Sequence, residues 1–453
     1  MRRTTMIAMA ILLAGCGAQA ATTDSSPAAG QAASQGAPTS ETASTPSAAD
    51  SVPLPTDPGT STAPTATPQP LDRMPDLAIV SGDGHVAVVH DGIMGTAQKG
   101  LLTADSSAVI ATESATTGGK PATRVTWRST RGGTDIAVIT LDGDLTAIAT
   151  DPSGKAVAFT GANADSPGGT VVVVATPEGE QFRRAYASEL QPEGFTNIYI
   201  DNSPIPAGLF VIEYLDPPPA DHTAPRRYRV RVADTHSGDL ALPSDLRVKG
   251  QTVDEQMLGF GRTHVLSPVN GLLFTLYRGI DSDEKGYAFV HTLGFINGVY
   301  CLDLPQALDL ATLPGAVALL DHESELAVVS ANGTVAEFAI SDITDASKTP
   351  APITTAPVWT GADASSPAVA ASGPTLLVGQ ADALRWIDTT SLTVSSIQHW
   401  DMHIEAVSLL PDGNALAAGT RRISEITPDG RLTAELPLPA DFGKVARVVT
   451  LPA

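Results

Sequence analysis

The fold of this chain is decided by residues 406–433, which read AVSLLPDGNALAAGTRRISEITPDGRLT. Two Pro-Asp-Gly steps, at 411–413 and 428–430, separate short and largely apolar runs. An Asp-Gly step supplies the positive φ that a tight hairpin turn needs, and such short runs are typical of buried strands. The stretch therefore predicts consecutive antiparallel strands joined by tight turns.

The same alternation of short runs and turns extends outward over most of the chain. Asp-Gly, Glu-Gly or Asn-Gly steps follow apolar runs at 91–92, 142–143, 178–179 and 332–333. The 3.6-residue periodicity of an amphipathic helix is almost absent between these steps. The sequence therefore predicts an all-β fold built from hairpins.

Groups of four such strands resemble the blades of bacterial WD40-like and YncE-like β-propellers. The resemblance covers most of residues 76–453 and rests on rhythm, because no blade carries the Gly-His or Trp-Asp signature of WD40 repeats. It implies a propeller over residues 73–453. Blades of about 40–50 residues would give seven, which we favour, or eight. Segments 177–250 and 341–365 are then expected to be loop-bearing insertions, and a β-sandwich or jelly roll is the alternative architecture.

Closure of such a ring requires the two chain ends to pair, because pairing hides both open sheet edges. Residues 445–451, Val-Ala-Arg-Val-Val-Thr-Leu, are the candidate closing strand. They lie two residues from the C-terminus, where a strand completing the ring is expected.

The N-terminus reads as an export signal. Met1-Arg2-Arg3 precedes an apolar run over 6–13 that is too short to span a bilayer, and Leu13-Ala14-Gly15-Cys16 follows. These four residues resemble the lipobox of bacterial lipoproteins. The resemblance implies a signal peptide over 1–15, cleavage before Cys16 and attachment of diacylglycerol to its sulfur, hence a membrane anchor on the extracytoplasmic face. An ordinary secretory signal with a chance cysteine is the alternative.

Residues 16–72 predict a disordered tether between anchor and propeller. The segment is rich in Ala, Ser, Thr and Pro and contains no aromatic residue. Such a composition buries too little apolar surface to offset the conformational entropy of folding. We therefore expect it to hold the folded domain away from the membrane.

Charge and cysteine content narrow the possible partners. The chain has 49 acidic and 27 basic residues, a formal net charge of −22, which argues against binding nucleic acid. With Cys16 lipidated, Cys301 has no partner for an intrachain disulfide. Its apolar neighbours favour a buried structural cysteine.

Residues 259–305 contain the densest set of unusual side chains. Strand alternation places Tyr287, Phe289 and His291 on one face. Propeller ligands usually bind near the central channel, and His264, Arg278 and His291 are candidates for a polar ligand-binding cluster there. The alternative is two histidines of the core or rim and a surface arginine.

No local motif predicts an enzyme. The chain has no Gly-x-Ser-x-Gly, Ser-x-x-Lys or His-Glu-x-x-His, and the pair His399 and His403 has no third metal ligand nearby in sequence. We therefore assign no metal, cofactor or catalytic residue. The first hypothesis is a non-enzymatic binding or scaffold module for an envelope protein or surface polymer. The alternatives are a lactonase-like metal-dependent hydrolase and a metal or solute carrier, each with its site at the channel mouth.

Overall fold

The computed structural model describes residues 74–196, 203–217, 225–243, 245–248, 251–252, 256–280, 286–294, 298–345, 348–360 and 365–451. Regular structure in these residues is nearly all β-strand. Their helical segments are α1 (Ile340–Thr344) and two 3-10 turns, Gln306–Leu308 and Asp321–Glu323. The predicted all-β fold is confirmed.

The strands of the first half form four consecutive groups. The first group contains β1 (Leu77–Ser81), β2 (His85–His90) and β3 (Ile93–Met94). The second contains β4 (Gln98–Leu102), β5 (Ala108–Thr117), β6 (Lys120–Ser129) and β7 (Asp135–Asp142). The third contains β8 (Thr146–Thr150), β9 (Val157–Ala162), β10 (Thr170–Thr176) and β11 (Gly179–Tyr186). The fourth contains β12 (Glu189–Phe195), β13 (Gly208–Tyr214), β14 (Arg226–Asp234) and β15 (Leu240–Ala241).

The second half continues the pattern. Two short strands come first, β16 (Asp245–Val248) and β17 (Gln251–Thr252). The fifth group contains β18 (Met257–Ser267), β19 (Leu272–Ile280), β20 (Gly286–Gly294) and β21 (Gly298–Asp303). The sixth contains β22 (Gly315–Leu320), β23 (Glu325–Ser330), β24 (Thr334–Ala339) and β25 (Thr354–Pro357). The seventh contains β26 (Ala368–Ser372), β27 (Thr375–Gln380), β28 (Ala383–Asp388) and β29 (Thr393–His399). The eighth contains β30 (Ala406–Leu409), β31 (Ala415–Ala418), β32 (Arg422–Ile426) and β33 (Leu432–Pro437), and β34 (Val445–Thr450) ends the series.

Antiparallel pairing makes each group a blade of a β-propeller. The third, sixth, seventh and eighth groups are separate four-stranded sheets. The two larger sheets each contain two groups, joined where β2 pairs with β4 and where β14 pairs with β18. Counted by these pairings, the described strands form eight four-stranded units, and eight is the second of the two blade numbers that the sequence allowed. The predicted propeller is confirmed.

The ring is closed by its two ends, as expected. β34 pairs antiparallel with β1, from Leu77 opposite Thr450 to Ser81 opposite Val445. The C-terminal strand is thereby the innermost strand of the first blade, and neither β1 nor β34 is left with an open edge at this junction.

The innermost strands follow one another around the centre. β18, β22, β26, β30 and β34 lie side by side in that order, and so do β4, β8 and β12. The shared sheets connect the first blade to the second and the fourth to the fifth. This order places the first and fifth blades four positions apart in either direction, on opposite sides of the central channel.

The expected insertions proved to hold blade strands. Residues 177–250 contain β11 of the third blade and all four strands of the fourth, and β25 of the sixth blade lies within 341–365. In β14 the arginines alternate with the buried residues Tyr228 and Val230. The sequence of β14 therefore resembles a charged loop, although its alternation of buried and charged residues has the two-residue period of a strand.

The core lies between blades. Seven clusters of buried apolar side chains are found among the described residues, and each joins two consecutive blades. Trp127 of the second blade packs with Phe159 of the third, for example. Burying one such side chain contributes about 1.5–3 kcal/mol, so face-to-face packing of neighbouring blades stabilises the ring.

Candidate functional site

Four inner strands carry a β-bulge. The extra residue is Ile148 in β8, Glu193 in β12, Arg262 in β18 and Ala446 in β34. A regular inner strand directs its side chains at the two neighbouring blades, because the sheets pack face to face. A bulge re-aims side chains, so these points are where polar groups can be turned toward the channel.

His264 begins a row of side chains that crosses the fifth blade. It lies opposite Thr275, which lies opposite His291, which in turn lies opposite Cys301. Residues directly opposite one another share a face of the sheet. His264 is exposed, whereas Thr275 and His291 are buried. The row therefore leads from the inner edge of the blade into its interior, and it brings two of the three predicted residues onto one face.

His291 is a buried neutral histidine at the junction of the fourth and fifth blades. It is 1% exposed, and its Nε2 has no hydrogen-bond partner among the described residues. Its ring lies edge-on to Tyr277, 5.6 Å between centroids, and 6.1 Å from the ring of Tyr228. Burial lowers the pKa of His291 to about 4. The Tyr228 hydroxyl is also buried without a partner in the described part of the chain.

An aromatic stack covers this junction. Tyr228 stacks on Tyr277 at 5.2 Å, Tyr277 on Phe289 at 5.4 Å, and Phe289 on Tyr287 at 5.6 Å between centroids. Tyr287, Phe289 and His291 therefore share one face, as strand alternation predicted. Such pairs add about 0.5–1.5 kcal/mol each beyond the area they bury, which makes this junction rigid.

Arg278 is separated from the two histidines. It follows Tyr277 in β19 and shares the face of Leu276, which packs against the sixth blade. Its Nε is buried with no hydrogen-bond partner among the described residues. His264 and His291 thus lie on one face of the fifth blade and Arg278 on the other, and the three do not form one cluster.

Arg447 is the described residue whose charge acts on the pKa of His264. It lies in β34 beside the Ala446 bulge and is exposed. Desolvation lowers the pKa of Arg447, and desolvation together with the Arg447 charge lowers the pKa of His264. Both groups are reached by solvent and yet surrounded by protein, which is the environment of a channel wall. Since their blades are on opposite sides of the ring, the Arg447 charge acts on His264 across the channel.

Glu193 is a second polar group at this inner wall. It is the bulged residue of β12 and is partly buried, and desolvation raises its pKa to about 7. Gln191 Nε2 donates to Glu193 Oε1 at 2.9 Å, and the Tyr214 hydroxyl donates to Gln191 Oε1 at 3.0 Å. The Glu193 charge also raises the pKa of Tyr277. Glu193 therefore lies near the aromatic stack.

Sequence reading overlooked Arg447 and Glu193. Each is a charged residue inside an otherwise strand-like stretch, the closing strand for Arg447 and the supposed insertion for Glu193. A charged side chain within a strand-like stretch is thus the one local sign that either residue could be functional. Their meeting with residues of other blades depends on the order of the ring.

The other candidate groups are metal-binding side chains and the two cysteines. No group of three His, Cys, Asp or Glu side chains that could hold a metal ion occurs in the described part of the chain. Among the same residues, no helix has the length and apolar character to cross a bilayer. Cys301 is a free, half-buried thiol. Cys16 and the predicted tether lie outside the described residues.

Comparison with known proteins finds similar folds. No family model and no curated protein matches the chain. A dihydro-heme d1 dehydrogenase, NirN, is 13% identical, with 86% of this chain and 78% of that chain covered and a TM-score of 0.48. AztD from Citrobacter koseri is 12% identical over 83% and 97%, with a TM-score of 0.43. BamB from Moraxella catarrhalis is 12% identical over 82% and 93%, with a TM-score of 0.40. The propeller assignment here rests on the strand pairings themselves.

Proposed function

We propose that this chain is a lipid-anchored, extracytoplasmic binding module that engages an envelope protein or surface polymer through its central channel. It is not a catalyst in this proposal. The anchor is the lipobox cysteine, Cys16, and residues 17–72 are the spacer that carries the propeller away from the membrane. The binding surface is the inner wall at the first, fourth and fifth blades.

The observation that carries this proposal is that Arg447 and His264, at the channel, lack a hydrogen-bond or ion-pair partner among the described residues. Arginines on the fourth blade have carboxylate partners, as in Arg226 with Glu189 at 2.8 Å and Arg227 with Asp216 at 2.6 Å. Arg447 and His264 have no hydrogen bond or ion pair within the described residues. Donors left free in a surrounded but open site are available to a ligand.

Site-specific photocrosslinking in intact cells tests the channel as the binding surface. The full chain would carry benzoylphenylalanine at Ala446, the exposed bulge residue of β34, or at Ile136, which is 57% exposed on the outer strand β7. We expect one discrete adduct from position 446 and none from 136. Capture from 136 alone, or from neither position, would contradict the proposal.

The anchor is tested separately by Cys16→Ala. We expect the variant to lose labelling by radioactive palmitate and to appear in the medium or as an uncleaved precursor. Retention in the membrane fraction with unchanged labelling would show that Cys16 is not the lipidation site. A capture experiment on the same variant would then report on the propeller independently of its anchor.

A further inference from the structure

We propose that the channel binds an oxyanion, a carboxylate or phosphate group of the ligand, between Arg447 of the first blade and His264 of the fifth. The inference rests on the proposed function, because it names the chemistry recognised at the same channel.

The two side chains lie at a similar depth. Arg447 is four residues before Leu451, whose amide bonds to the Asp76 carbonyl at the end of β34, and His264 is three residues before Ser267, the last paired residue of β18. Inner strands of a propeller run in the same direction along the axis. The two donors therefore lie in one layer of the channel rather than at opposite mouths.

Among the described residues, the charge that acts on the pKa of His264 is that of Arg447. Desolvation and the Arg447 charge lower the pKa of His264. Desolvation alone lowers the pKa of Arg447. No described carboxylate acts on either of them. Glu193, at the same inner wall, acts on Tyr214 and Tyr277 instead.

The donor geometry suits an oxyanion. A guanidinium presents five N–H donors in a planar fork and accepts no hydrogen bond, so it pairs with two oxygens of a carboxylate or phosphate. Imidazole adds one donor from the opposite wall. A cation or a neutral hydrocarbon would find no complementary partner in this pair. Desolvation of Arg447 strengthens its attraction for an anion that enters.

Titration calorimetry on the detergent-solubilised full chain tests the inference, with citrate and inorganic phosphate as separate probes at low salt. We expect Arg447→Gln and His264→Gln to weaken binding of the preferred probe by about 10- to 100-fold, as for loss of a charge-assisted hydrogen bond. Arg447→Lys, which keeps the charge but not the fork, should lose less than Arg447→Gln. Arg431→Gln, at an exposed site of the eighth blade, is the matched control and should not change binding.

Each outcome decides between the alternatives. Preference for citrate indicates a carboxylate ligand, and preference for phosphate indicates a phosphate ester. If neither probe binds, or if binding is equal in wild type, Arg447→Gln and His264→Gln with an unchanged thermal transition, the oxyanion site is refuted. Crosslinking from position 446 together with that result would leave the channel-binding function standing, whereas loss of both would remove the function as well.

Discussion

Substitution of His291 by leucine should remove most of the loss in folding stability that this histidine causes at acidic pH. His291 is buried against two tyrosine rings with its Nε2 unpartnered in the described part of the chain, and its pKa is about 4 against 6.5 in the unfolded chain. As pH falls below 6.5, the unfolded state therefore binds a proton on this residue that the folded state does not bind. The folded pKa is depressed, so the stability held at pH 7 is lost as pH falls from about 6.5 to about 4.

The magnitude follows from the two pKa values. Their difference, from 6.5 to about 4, corresponds to roughly 3 kcal/mol, of which roughly 2–3 kcal/mol is lost by pH 4.5. At pH 7.5 the variant should lie within about 1 kcal/mol of wild type. Relief of an unsatisfied buried nitrogen, worth about 1–3 kcal/mol, offsets the lost ring contacts.

Urea unfolding followed by tryptophan fluorescence at pH 7.5 and 4.5 measures the effect. Wild type should lose roughly 2–3 kcal/mol more than His291→Leu between the two pH values. The control is His399→Leu, because that side chain is 70% exposed and should leave the loss unchanged. Equal losses in wild type and His291→Leu would refute the interpretation of His291 as a buried, neutral histidine.

Four further predictions concern the fold. Glu337 is 4% exposed, and desolvation and the Glu325 charge raise its pKa to about 7. The stability that this raised pKa contributes is therefore lost as pH rises from 4.5 through 7. In urea titrations, Glu337→Gln should raise the free energy of unfolding by up to roughly 3 kcal/mol at pH 8 and leave it unchanged at pH 4. Truncation after residue 444 removes β34, including buried Val445 and Val448, and should lower stability by about 3–6 kcal/mol in calorimetry; an unchanged transition would argue against closure by this strand. Gly100→Ala would place a Cβ 1.9 Å from the Ile110 carbonyl oxygen and should lower the melting temperature by many degrees. The control is Gly82→Ala, whose Cβ would make an ordinary contact of 3.7 Å with the Lys444 carbonyl oxygen and should leave the temperature nearly unchanged. Deletion of residues 17–71 should leave that temperature nearly unchanged, and a large drop would mean that the segment packs on the propeller.

The hairpins and the closing strand could be predicted from the sequence because each depends on neighbouring residues. Asp-Gly steps between short apolar runs require hairpins, and the alternation in 445–451 was sufficient to predict the strand that closes the ring. The common face of Tyr287, Phe289 and His291 follows from the two-residue period of a strand alone. The fourth blade was missed because arginines occupy alternate positions of β14, where the sequence looks like a charged loop.

The site was only partly predictable. Alternation within β19 is enough to separate Arg278 from the face of Thr275, once the pairing of β19 with β18 is known. That pairing includes a bulge at Arg262, which shifts the register by one residue and has no distinctive sequence. Spacing alone therefore favoured a cluster of His264, Arg278 and His291. The observed register places Arg278 on the opposite face of the blade from the two histidines.

By itself the sequence determined the all-β class, the hairpin rhythm and the acidic character, because each depends on neighbouring residues or on composition. The export signal ending at Cys16 stays a prediction. Only the tertiary structure decided the number of blades, the burial of His291 and the placement of Arg447 and His264 on one channel. Those two residues belong to strands nearly two hundred positions apart, and ring closure places their blades, the first and the fifth, across that channel. No local pattern encodes this placement, since it depends on every intervening blade packing against the next.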